Sequence, residues 1–347
     1  MLGMSGGVDS SAAALLLKNE GYEVFGVTML LTPDASEDSQ DALDAAEVCK
    51  KLGIKHECVD FRKAFSETVI ENFVNEYRLG RTPNPCIVCN RDIKFGLMLD
   101  HALKNGFEYI ATGHYAKTAL SDDGIYSIFR TETKKDQSYV LWTLSQEKLS
   151  HVIFPAGKYT KDRLRSAASE AGLDVSAKKD SQDICFIKDG DYKRFLISNY
   201  EGFQKPGYIL NKDGKILGRH CGVENYTVGQ RKGLGIDLPC AMYVTKIENG
   251  NVYLGVEGSQ YSRFIICDSI NFISGRNTSD KLRALVKHRY SSPLSPANIY
   301  LKDGKALIEF DEPQRALTPG QSAVFYQNDL LLGGGIIQKV PESADDF

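Results

Sequence analysis

The chain has 347 residues, 42% of them hydrophobic and 25% charged, and its 42 basic and 45 acidic side chains give a net charge of −3. That length supports a sizeable core and two or three domains, while the near-neutral balance excludes a global attraction to nucleic acid and leaves any polyanion to a local basic face. No apolar run approaches the ~20 residues that span a bilayer, and MLGMSGGVDS is not signal-like, so the expected setting is cytoplasmic with no membrane partner.

The first element is GMSGGVDSS, residues 3–11. Glycines let a backbone approach an anion closely, and the hydroxyls of Ser5, Ser10 and Ser11 add donors beside the start of a helix. The alternative is an ordinary glycine turn. A Walker loop would end in Lys followed by Ser or Thr; that ending is absent, so cleavage between the α and β phosphates fits better than γ-phosphoryl transfer. Only Met1 and Leu2 precede the loop, where a first strand of several residues is expected, so that strand is very short or the chain begins late.

DSSAAALLLKNEG reads as a helix capped by Asp9 or Ser10 and closed by Gly21. YEVFGVTML is a strand, DALDAAEVCKKLG a helix, IKHECVDF a strand, and residues 63–79 a helix. TPNPCIVCN follows at residues 82–90, with two prolines predicting a non-helical approach. The next helix is expected after Asn90, where its N-terminus would lower the Cys89 pKa. FEYIATGH supplies a further strand, completing an α/β pattern of the doubly wound kind, whose ligands sit at the carboxyl ends of the strands.

Near residues 195–207 the character changes, and EGFQKPG reads as a linker. Asp213-Gly214, Asn249-Gly250 and Asp303-Gly304 mark hairpins between alternating apolar and polar residues, so the second half is mostly β, with residues 266–347 as a small barrel.

Eight cysteines in a long, reducing-compartment chain are more often buried, catalytic or metal-bound than paired. Lys134 with Lys135, Lys178 with Lys179, Arg231 with Lys232, and Lys287 with Arg289 form a nucleic-acid face only if they converge. Tyr290 either stacks on RNA or packs in a barrel.

SGGVDSS resembles the PP-loop of the ATP-pyrophosphatase superfamily. TPNPCIVCNRDIKF, ATGHYAK, KKDQSYVL, KKDSQDICFI, YTVGQRKGLGI, HRY and FDEPQRALTPGQSAVFY resemble, in order and over nearly the whole chain, the motifs of the bacterial tRNA-specific 2-thiouridylases, the MnmA/TrmU family. The resemblance implies a Rossmann-like PP-loop (adenine nucleotide alpha hydrolase-like) catalytic domain at 1–197, a central β-rich domain at 198–265 and a C-terminal β-barrel domain at 266–347. It implies ATP-dependent 2-thiolation of the wobble uridine of tRNA of the Lys, Glu and Gln type, with sulfur from a donor protein of a persulfide relay.

On this pattern Gly3, Met4, Ser5, Gly6, Gly7, Val8, Asp9 and Ser10 cradle ATP, with Met29 and Gly113 lining the nucleotide site. Asp9 is the candidate for Mg2+. Cys185 matches the persulfide-bearing cysteine, and Cys89 the cysteine that attacks the persulfide or forms a disulfide with it. Asn84, Pro85 and Cys86 match the segment touching the target base. Lys135, Asp136 and Gln137 match a tRNA-contacting segment, and His114, Arg289, Tyr290 and Gln321 fall on positions that meet tRNA.

The family's commoner form has aspartate where this chain has Cys86. Related PP-loop thiolases hold an iron–sulfur cluster on a C-x-x-C and one distant cysteine, so Cys86, Cys89 and Cys185 also suit a [4Fe-4S] cluster with one open iron. The persulfide and cluster readings both stay open here. Zinc lacks a fourth ligand, and the prolines do not suggest a thioredoxin-like pair. Competing functions are another PP-loop thiolase, amidotransferase or synthetase, or a tRNA-binding or cluster-carrying protein without catalysis.

Overall fold

The apolar runs of the first half assemble into a parallel sheet in the computed structural model, which describes residues 1–173, 184–275 and 279–347. In chain order the elements are β1 (Leu2–Gly3), α1 (Val8–Asn19), β2 (Phe25–Leu30), α2 (Gln40–Lys51), β3 (Lys55–Asp60) and β4 (Ile110–Ala111), then the hairpin β5 (Lys117–Leu120) and β6 (Tyr126–Phe129), and β7 (Val152–Ile153). The sheet order is β3-β2-β1-β4-β7, and every pair is parallel. Strand order reverses at β1, so the crevice between the carboxyl ends of β1 and β4 is where such a sheet binds ligands. The first strand is two residues long. Fully buried Leu2 nevertheless lies between Gly26 and Ala111 at the sheet's centre.

Two helix starts differ from the sequence reading. Neither Asp9 nor Ser10 caps α1: the cap is Gly7, with no side-chain bond, because the Ser10 and Ser11 hydroxyls donate back to the Gly7 carbonyl at 3.1 and 2.8 Å. The other end is as expected, with Gly21 and Tyr22 N–H groups closing on Lys18 and Leu17 in a Schellman arrangement.

The second helix starts at Pro85, not after Asn90. Asn84 Oδ1 accepts the Cys86 N–H at 3.2 Å, and proline at the first helical position loses no hydrogen bond. From there Pro85–Val88 is α, Cys89–Leu97 is a π-helix and Met98–Lys104 is α again. Residues 62–78 form the antecedent helix, which also contains a π segment, Ser66–Ile70.

The second half is β as expected. β8 (Gly207–Asn211), β9 (Ile216–His220), β10 (Met242–Glu248) and β11 (Asn251–Val256) form one sheet. β12 (Tyr261–Phe272), β13 (Lys281–Lys287), β14 (Ser295–Lys302), β15 (Lys305–Arg315), β16 (Ser322–Gln327) and β17 (Leu330–Lys339) close into a six-stranded barrel through β12–β17 pairing. β12 spans the expected 265/266 boundary, and helix Tyr192–Asn199 spans the expected 197/198 boundary. The turns Asn249-Gly250 and Asp303-Gly304 have positive φ at both central residues, the hairpin geometry that Asn-Gly and Asp-Gly favour.

The β5–β6 hairpin continues the barrel's sheet: Phe129 pairs with Leu330 and Ile128 with Leu331. Beneath it one apolar core joins the two domains, bringing Phe95, Met98 and Ile110 together with Trp142, Val324, Tyr326 and Leu331.

Candidate active site

The phosphate loop leaves β1 and enters α1 directly under the loop that leaves β4. A Cβ on Gly6 would lie 2.4 Å from the Asp41 carbonyl oxygen, and one on Gly113 would lie 3.0 Å from the Asp9 carbonyl carbon. Only backbone fits at either point. Because Gly7 caps α1 without a side chain, the donors of its first turn are left for a ligand, and the cradle fits a polyphosphate. Ser5 is exposed at its rim, with its N–H donated to Ser10 Oγ at 3.2 Å. Met4, Val8 and Ser10 are buried beneath, Gly3 rests on Met98, and Met29 is half-buried in β2.

Asp9, the candidate for Mg2+, sits between two polar partners. Its Oδ2 meets Lys161 Nζ at 2.9 Å, and its Oδ1 accepts the Tyr115 hydroxyl at 2.6 Å. Both oxygens are therefore engaged, and Lys161 puts a positive charge beside the loop that lacks a Walker lysine. Nothing local in TKDRLR signals this, since Lys161 begins a helix far along the chain.

The thiols lie on the neighbouring helix. Cys89 is buried, and burial pushes its thiol up to about 12; Lys94 opposes the rise, while Cys185 and Cys86 add to it. The helix N-terminus does not depress it, because the helix begins four residues earlier. Cys185 is exposed over the residue as a whole, yet burial is the main cause that raises its thiol, followed by Cys86, with Lys94 again opposing. Cys86 is exposed. Ile184 and Phe186, on either side of Cys185, pack in the same apolar cluster as Val88 and Cys89, which brings the two segments together. Phe186, next to Cys185, holds that segment by ring contacts with Phe65 and Phe73 at 5.8 and 5.3 Å.

Lys94 was not singled out from sequence. Five residues after Cys89, it would point away from it in an α-helix; the i→i+5 bonding of the π-helix brings residues five apart onto one face. Lys94 also helps hold His114 neutral: burial lowers this imidazole well below its ordinary pKa, and Lys94 lowers it further. His114 Nδ1 lies 2.7 Å from Thr112 Oγ1. Among the described residues no three His, Cys, Asp or Glu side chains gather as metal ligands.

The remaining candidate residues form the walls. Asn84 caps the thiol helix, Pro85 is buried at its first position, and Asn90 donates to the Val140 carbonyl at 3.0 Å. Gln137 Oε1 accepts the Tyr115 N–H at 3.0 Å, and buried Asp136 accepts from the Thr131 N–H and the Ser138 hydroxyl. Lys134 and Lys135 are exposed on the same turn, as are Arg231 and Lys232 elsewhere; Lys178 and Lys179 lie outside the described residues. Tyr290 is 41% exposed, donates to the Asp136 carbonyl at 2.9 Å and lies under Lys287 Nζ, so it is a surface ring and not barrel core.

Two further residues expected at tRNA make hydrogen bonds between segments. Arg289 donates to the carbonyls of Ala316 at 2.6 Å and Val228 at 3.4 Å, and also to the Thr318 hydroxyl. Gln321 Nε2 donates to the Thr82 carbonyl at 2.7 Å, and the Thr82 N–H to Pro319, docking the barrel onto the TPNP loop.

Residues 1–189 match the family model described as tRNA methyl transferase HUP domain, 194–256 the tRNA methyl transferase PRC-barrel domain, and 262–337 the aminomethyltransferase beta-barrel domain. Over 353 aligned residues the chain is 48% identical to the tRNA-specific 2-thiouridylase MnmA of Acetivibrio thermocellus, covering 97% of this chain and 98% of that protein. The chain belongs to the tRNA-specific 2-thiouridylase family. It is also 44% identical to MnmA of Halothermothrix orenii and 43% to one from Clostridium botulinum, with 98% of both partners covered in each case. Membership makes it an enzyme, a sulfurtransferase, and sets aside the synthetase and the catalytically silent binder as readings. The 2-thiouridylase architecture, a Rossmann-like domain followed by two β domains, is the one observed.

Proposed function

We propose that the chain replaces O2 of the wobble uridine of tRNA with sulfur, consuming ATP and releasing AMP and pyrophosphate. The observation that supports this most directly is the join between the two halves of the site. Gly113 packs on the phosphate loop, and the next residue, His114, shares the charge of Lys94 with Cys89 and Cys185. A nucleotide in the cradle and a base near the thiols would therefore be adjacent.

The C2 carbonyl of uridine is a poor electrophile, and adenylylation by ATP converts its oxygen into a leaving group. The donors at the start of α1 hold the phosphates of ATP, which enters as its magnesium complex, and Lys161 adds charge beside them. The target base has to leave the anticodon stack to arrive here. Exposed Lys134, Lys135 and Tyr290 offer phosphate and stacking contacts on that side.

Cys185 receives sulfur from a persulfide-carrying donor protein in the cytoplasm. The Cys89 thiolate then attacks Cys185 Sγ, forming a Cys89–Cys185 disulfide and expelling hydrosulfide, which adds to C2 as AMP leaves. The substrates are wobble-uridine tRNAs of the Lys, Glu and Gln type.

The test is tRNA-dependent AMP release coupled to nucleoside analysis. One sulfur at C2 of the wobble uridine per AMP is expected. Sulfur at C4 or on a cytidine, or binding of tRNA without AMP release, overturns the reading.

A further inference from the structure

The C-x-x-C of residues 86–89 looked unlike a redox pair while the prolines were read as non-helical. In the structure it occupies the first turns of a helix, and those turns are tight. The Cys89 N–H is shared between the carbonyls of Pro85 and Cys86, and the Ile87 N–H reaches the Asn84 carbonyl at 3.2 Å. The two thiols therefore sit three residues apart on one face of the first turn. A disulfide needs its Cβ atoms within about 3.5–4.5 Å, against about 5–6 Å for i,i+3 neighbours on an α-helix. A modest local shift of this first turn is enough to close the pair.

Exposure divides the labour. Cys89 is 7% exposed, whereas Cys86, at the helix start, and Cys185 are exposed. Cys185 lies between Ile184 and Phe186, which pack in one cluster with Val88 and Cys89. Any disulfide that Cys89 forms with Cys185 is thus flanked by a third thiol open to solvent.

We propose that Cys86 is the resolving thiol of this site, transferring the disulfide left by sulfur delivery from Cys89–Cys185 to Cys86–Cys89. This rests on the persulfide reading above. The Cys86 thiolate attacks Cys89 Sγ, the Cys89–Cys185 bond breaks with its electron pair leaving on Cys185, and the Cys86–Cys89 bond forms without net oxidation. Cys185 is thereby free to accept the next persulfide. A dithiol reductant then attacks exposed Cys86 and leaves as its own disulfide, returning Cys86 and Cys89 to thiols.

The test maps disulfides over time. Full-length protein charged with one equivalent of sulfane sulfur from inorganic polysulfide is mixed with ATP, magnesium and unmodified tRNA in the absence of reductant. Samples are quenched in acid, alkylated and mapped by mass spectrometry. A Cys89–Cys185 linkage that gives way to Cys86–Cys89, one per sulfur placed on tRNA, is expected. In Cys86→Ser the first linkage accumulates, and turnover driven by a dithiol falls about tenfold or more. Persistence of Cys89–Cys185 in the parent overturns the resolving role and leaves the persulfide reading standing. Sulfur on tRNA with neither linkage in either protein overturns both. If the serine variant does not fold, the parent time course decides alone.

Discussion

Gly113 touches the backbone of Asp9 and Ser10 so closely that a methyl group there would press the loop after β4 against the phosphate loop. Gly113→Ala is expected to cost about 1–3 kcal/mol through overpacking. It should also raise the Kd for ATP by about tenfold, read by nucleotide titration against the thermal unfolding midpoint. A protein that binds ATP as well as the parent would show that the loops separate without harm. At this scale the sequence revealed residue types but not their company. Gly6 stood out within a glycine-rich loop, whereas Gly113 was marked only by the family resemblance, and its close approach to Asp9 is seen in the structure. Lys161 did not, since its contact with Asp9 spans 152 residues. Arg289 and Gln321 carry donor groups that suit phosphate equally well, and only the structure shows their acceptors: carbonyls of Ala316 within the barrel and Val228 outside it for Arg289, and of Thr82 for Gln321.

At the scale of elements, the start of the thiol helix governs the chemistry. Asn84→Ala removes the side-chain acceptor for the Cys86 N–H and is expected to lower stability by about 1 kcal/mol. The same change should fray the first turn that holds both thiols on one face, so Cys86 and Cys89 would form a disulfide more slowly with an added oxidant; an unchanged rate would show that Pro85 alone shapes the turn. The alternating strands and helices of the first half were readable from periodicity. The hairpin turns were readable because Asn-Gly and Asp-Gly tolerate positive φ. The π-helix was not, because it differs from an α-helix by hydrogen-bond register, which no residue in CNRDIKFGL dictates. It is this register that carries Lys94 to the thiols.

For the whole molecule, acid is the predicted stress. Burial, aided by Arg289, lowers the His288 pKa from 6.5 to about 4, and burial likewise holds His114 well below its ordinary value. As pH falls through 6.5 the unfolded chain takes up these protons while the folded chain does not, so stability declines from about pH 6.5 downward and reaches the full His288 effect near pH 4. For His288 alone the loss is on the order of 3 kcal/mol. Above pH 6.5 neither group contributes. Urea unfolding midpoints measured from pH 7.5 to 4.5 should fall steadily below 6.5, with a smaller fall in His288→Phe; a flat profile would show that these imidazoles are protonated in the folded protein.

The strands β5 and β6 belong by sequence to the nucleotide-binding half, yet β6 is hydrogen-bonded to β17 of the barrel. The molecule is therefore not a string of separable modules. A fragment ending at residue 256 would strip Trp142 and Tyr139 of Val324, Tyr326 and Leu331 and leave one edge of β6 without a partner. Such an edge is a template for self-association, so the excised half should sediment as aggregates while the intact chain does not. Any recombination of these halves, natural or engineered, has to exchange the hairpin with the barrel as a single heritable block.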